Sequence, residues 1–110
     1  MATASPLSRR WSPADSHDLY NIRGWGNNYF SVNDAGCMVV HPGGPKTPAI
    51  DLKELVDEVR ERGINLPLLI RFSEIIKARV VELNEAFASA IREYGYQNVY
   101  RGVYPIKVNQ

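Results

Sequence analysis

Two apolar runs of β type, LPLLIRF and QNVYRGVYPIKV, stand on either side of a helical stretch, SEIIKARVVELNEAFASAIREYG. That alternation constrains the chain more than any other feature in it. A long helix between two mostly apolar strands reads as a crossover, and crossovers join parallel strands with a right-handed turn. Near-continuous apolar runs also suit parallel strands covered on both faces. The helix is marked at both ends. Ser73 stands at its start as a cap, and Gly95 is placed to stop it in a left-handed turn. Between them Ile76, Val80, Leu83, Phe87, Ala90 and Tyr94 step by three and four, which makes one apolar face. At the rise of an α-helix this element is about 30 Å long. The fold class expected is α/β. Two parallel strands alone make no stable sheet, so the unit that opens at residue 64 calls for strands beyond those in 64–110. The expectation is a fragment, cut just past a strand at Gln110.

The residues upstream carry different signals. YFSV and CMVVH flank NDAG, whose Asn, Asp and Gly suit a tight turn. They predict a β-hairpin over about 28–41, with strands at 28–33 and 37–41. GGPKTP follows as a loop. A helix is expected over about 51–62. Asp51 can cap it, Glu54 stands three residues on as in a capping box, and Leu52, Leu55, Val56 and Val59 share one face. Gly63 ends it. Residues 18–63 thus read as one amino-terminal segment. Residues 1–17, rich in Ser, Pro and Ala, read as a disordered arm that Trp11 can pin in part.

Composition excludes several classes. The chain has 110 residues, a formal net charge of +1 and 45% hydrophobic residues, the profile of one small globular domain. A nucleic-acid partner would need a basic face that this balance does not supply. No apolar stretch approaches the roughly 20 residues of a membrane span. The start, MATASPLSRRWSPADS, lacks the apolar middle of a secretory signal. A single cysteine, Cys37, leaves no internal disulfide and no cysteine-based zinc cluster, which fits a reducing, cytoplasmic setting. His17 and His41 have no ligand-spaced partner and read as surface or hairpin residues. Gly43 and Gly44 read as turn formers, and GWG is too short for a phosphate loop. Arg71 ends a strand, where a structural ion pair is the simpler reading than a phosphate or carboxylate contact. Tyr29, Phe30, Tyr100 and Tyr104 read as core.

Lys107 is the candidate for chemistry. In an extended run side chains alternate between faces. Tyr104, Ile106 and Val108 fall on one face, while Val103, Pro105, Lys107 and Asn109 fall on the other. The lysine then stands at the carboxyl end of a parallel strand on its interior side, where α/β folds bind ligands. Two readings remain open at this point. The stem can lie on apolar surface while the amine reaches water. Alternatively the amine is desolvated, its pKa lowered, and it acts as a nucleophile or Schiff-base former. Pro105 removes a ladder donor two residues earlier, a distortion able to aim the lysine inward.

YRGVYPIKVNQ resembles the pyridoxal-phosphate lysine segment of biosynthetic arginine decarboxylases. YNIRGWGNNYFSVNDAG is similar to that family's amino-terminal segment, and the stretch from IDLKELVDEVRERG to the lysine is similar in order. The resemblance covers nearly everything after about Arg10. A YxxKxN-like strand is shared more widely, by diaminopimelate and ornithine decarboxylases among others, but RGVYPIKVNQ and GWGNNYFSVN point to the arginine branch. Cys37 departs from the His or other polar residue expected there. The resemblance implies a pyridoxal-phosphate-binding (β/α)8 barrel of the alanine racemase-like group, with 64–110 as its truncated start. It implies that Lys107 is the catalytic residue and bears pyridoxal 5'-phosphate as a Schiff base, with Asn109 beside it on the same face. It implies decarboxylation of L-arginine to agmatine and carbon dioxide for polyamine biosynthesis, by a full-length homo-oligomer, and inactivity of the 110 residues alone. A magnesium ion is implied by the family only, with no residues here to assign to it. The groups for the pyridine nitrogen, the phosphate and the substrate are expected beyond the lysine. Two other functions compete. One is a related decarboxylase of ornithine, lysine or diaminopimelate. The other is a non-enzymatic helical interaction module, whose seam on the long helix runs about three heptads and is broken by Ile75, Val81 and Ile91.

Overall fold

The computed structural model describes residues 9–105. The chain divides into two compact units, with the boundary between Phe72 and Ser73.

The first unit is built around a small sheet. Strands β1 (Phe30–Val32) and β2 (Met38–Val40) form the expected hairpin, with Phe30 opposite Val40, Ser31 opposite Val39 and Val32 opposite Met38. Asn33 makes the turn. Its side-chain oxygen accepts from the Ala35 N–H at 3.1 Å and the Cys37 N–H at 2.9 Å, and Gly36 takes a positive φ of 83°. This is the Asx-turn chemistry that NDAG offers. A third strand, β3 (Ile50–Asp51), adds antiparallel to β2 and gives the order β1–β2–β3. The sequence reading places Asp51 at the start of the helix and assigns no strand there.

Two short helices precede the sheet: α1 (Pro13–Leu19) and α2 (Ile22–Gly26). Ile22, Val39 and Val40 are buried and form the core. Gly26 is needed where α2 meets β1, since a Cβ on it would stand 3.2 Å from the Phe30 Cβ. Helix α3 (Leu52–Glu61) follows β3 directly. The Asp51 carboxylate caps it by accepting from the N–H groups of Lys53 at 2.8 Å and Glu54 at 3.2 Å. Leu52, Leu55, Val56 and Val59 are all half-buried, as their spacing requires, while Lys53, Glu54 and Glu58 are exposed. Gly63, at a φ of 84°, ends the helix, with its N–H on the Arg60 carbonyl.

The expected disordered arm over 1–17 is corrected at its end by α1. Ser12, Pro13 and Asp15 are a helix start in miniature: the Asp15 carboxylate accepts from the Ser12 N–H at 2.6 Å and its hydroxyl at 2.7 Å. Proline at the first helical position loses no bond the helix needs. Trp11 is held as anticipated, through its indole N–H on the Ser16 hydroxyl at 3.2 Å.

The second unit holds one regular element among its described residues, α4 (Ser73–Tyr94), whose first residue is the Ser73 expected to cap it. Gly95 has a φ of 62°, and the Tyr96 N–H closes the end on the Ile91 carbonyl at 3.1 Å. The flanking strands are a correction. Among the described residues neither LPLLIRF nor the run from Gln97 to Pro105 joins a sheet. A strand exists only by pairing its N–H and C=O groups with a neighbour, and no strand of the three-stranded sheet pairs with either run. The architecture described is mixed α/β with an antiparallel sheet, and it shows no barrel.

Candidate functional site

Lys107 and Asn109 lie outside the described residues. What is described is the approach to them. Val103 and Tyr104 are 90% and 86% exposed. Both side chains are thus largely exposed, beside Val80, Leu83 and Asn84 of α4, and Tyr104 is not core. Tyr100 is half-buried because its ring stacks on Phe87, with centroids 3.9 Å apart and planes within 3°. Beside that pair an apolar cleft is lined by Phe87, Ala90, Ile91 and Tyr94 of α4, with Tyr96, Val99 and Tyr100. It offers no carboxylate, imidazole or amine to a reacting group. It holds shape, not chemistry.

The two histidines brace the first unit. His17, on α1, accepts from the Val32 N–H through Nε2 at 3.1 Å, so α1 satisfies a free donor on β1. Its Nδ1 is buried and has no hydrogen-bond partner among the described residues. His41 stands just past β2. Its Nδ1 lies 3.1 Å from the Thr47 carbonyl and so donates the proton, leaving Nε2 to accept from the Ser31 hydroxyl at 3.3 Å. His41 thus serves the hairpin, while His17, expected at the surface or in the hairpin, joins α1 to β1. Gly43 and Gly44 form turns: Gly44 has a φ of 104°, and its carbonyl accepts from the Thr47 N–H and hydroxyl. GWG sits in α2 as helix, with the Trp25 indole N–H on the Tyr20 carbonyl at 2.9 Å. Arg71 is exposed in the segment without regular structure that precedes α4.

Asn33 was the residue the sequence reading passed over. Besides the turn, its amide donates to the Asp51 carboxylate at 2.8 Å, tying the hairpin tip to the cap of α3. Its position in NDAG was the only signal. Partial burial raises the Asp51 pKa, but bonds from the Glu54 N–H, the Asn33 amide, the Lys53 N–H and the Cys37 thiol outweigh it and hold the carboxyl below its usual range. Arg9 pairs with Asp15 and, with the two Ser12 bonds, lowers that carboxyl to about 2. The Asp57 carboxylate pairs with Lys53 and raises its amine. All three shifts belong to caps and surface pairs. Among the described residues no group of three His, Cys, Asp or Glu side chains is placed to hold a metal, and no helix is long and apolar enough to cross a membrane.

No family model matches the chain. Individual proteins do. It is 51% identical over 100 residues to the biosynthetic arginine decarboxylase of Gloeobacter violaceus, covering 91% of this chain and 16% of that protein. It is 55% identical over 102 residues to biosynthetic arginine decarboxylase 1 of Synechocystis sp., covering 93% and 15%. With the enzyme of Pseudomonas putida the figures are 50% over 101 residues, 92% and 16%. The chain resembles biosynthetic arginine decarboxylases over nearly its whole length and corresponds to a fragment of them. It spans about a sixth of the length of these relatives.

Proposed function

We propose that the chain is part of an arginine decarboxylase that converts L-arginine to agmatine and carbon dioxide, with pyridoxal 5'-phosphate held by the ε-amine of Lys107. The observation that supports this most is the identity of about half over nearly all of the chain, with several proteins of that one name. The donor chemistry agrees. A primary amine at the end of an apolar run is the side chain that condenses with an aldehyde, provided it is uncharged. When bound, the cofactor supplies an electron sink for the charge left on the α-carbon as carbon dioxide departs. Lys107 then has two tasks: to anchor the cofactor, and to give it up to the substrate's own amine. Both require the amine to shed its proton in a dry, cation-rich setting. Asn109, two residues on and so on the same face of the expected strand, is the further candidate to bond beside it.

The high exposure of Val103 and Tyr104 fits a site whose walls come from elsewhere in a longer polypeptide. In this reading 66–72 and 97–108 become strands, and 64–110 the opening of a (β/α)8 barrel, once neighbouring strands pair with them. The setting is cytoplasmic and the complete protein a homo-oligomer. No residue here is assigned to magnesium.

The test uses the complete protein. Borohydride reduction in the presence of the cofactor should fix its mass to the peptide bearing Lys107, and arginine alone among arginine, ornithine, lysine and diaminopimelate should yield its decarboxylated amine at a high rate. Replacement of Lys107 by alanine should abolish carbon dioxide release. A label on another lysine, or full activity in the alanine variant, overturns the assignment. Preference for another amino acid overturns the substrate. The 110 residues alone should release none.

A further inference from the structure

We draw no further inference here: the strongest candidate, the exposed apolar face of α4 with the cleft beside the Phe87–Tyr100 ring pair, carries nothing because no feature of the structure shows what covers it.

Discussion

The two units respond differently to the same kind of sequence signal. Both contain apolar β-type runs next to a well-marked helix. In the first unit those runs find partners close in sequence. Five residues separate β1 from β2, and β3 returns to β2 within ten residues. Closing such loops costs little, and the sheet then gives α2 and α3 a surface to lie on. Ile22, Val39 and Val40, the buried apolar residues, all belong to this unit. In the second unit the helix forms but buries no residue. Ile76, Val80 and Leu83 remain about half exposed along the stripe that their spacing defines. The difference lies in partners, not in local grammar. A helix is complete in its own hydrogen bonds, whereas a strand is half an object.

The most direct way to break this contrast is to truncate one residue in each unit. Ile22→Ala removes a side chain 1% exposed. It should cost the first unit about 2–5 kcal/mol, the usual range for emptying such a site, read as a shift of the urea midpoint. Ile76→Ala, at a side chain 54% exposed on α4, should move the same transition by no more than about 0.5 kcal/mol. Equal costs would mean that α4 already has its cover in the chain as it stands, and the contrast would fail.

The same physics explains what could be read from the sequence. The bounds of α4 were legible to within a residue: Gly95 stops it as expected, and Ser73, read as its cap, is its first residue. So were the hairpin and the cap of α3, since NDAG and Asp51 act within four residues of themselves. Helix α1 was equally local, but the Ser-, Pro- and Ala-rich stretch before it masked a cap at Ser12. β3 was not legible. Two residues carry no period, and Ile50–Asp51 is a strand only because β2 lies beside it. The runs at 66–72 and 97–105 erred in the opposite direction. Their composition is that of strands, but composition does not supply the neighbour. Lys107, expected at the end of a strand, lies outside the described residues.

A gentler probe compares two glycines with the same conformation. Gly63 ends α3 and Gly95 ends α4, both at positive φ, and an added Cβ would meet no atom within 4 Å at either. Alanine at these positions therefore costs backbone strain alone, about 1 kcal/mol. At Gly63 that cost falls on the cooperative first unit and should lower its unfolding midpoint accordingly. At Gly95 it should leave that midpoint unchanged and reduce only the helical signal at the end of α4. A common midpoint shift for Gly63→Ala and Gly95→Ala would show that the two units melt together.

The smallest effect should come from acid. Asp15 has its pKa lowered from 3.8 to about 2, first by the Arg9 bond and then by Ser12. A carboxyl depressed in the folded state stabilises above its unfolded value and loses that contribution as pH falls through its folded one. The start of α1 should therefore loosen between about pH 4 and pH 2, seen as a shift of the Ser12 and Asp15 amide resonances, while α4 amides distant from any such carboxyl hold their positions. Two causes can be separated within that window. The Arg9 side chain is largely exposed, so added salt should screen its share, whereas the hydrogen bonds from the Ser12 N–H and hydroxyl are short-range and should persist. Asp15→Asn should remove the acid transition of α1 altogether. If the resonances of α1 instead stay fixed down to pH 2 in the unaltered chain, the cap does not depend on that carboxylate, and the early end assigned to the arm loses its physical cause.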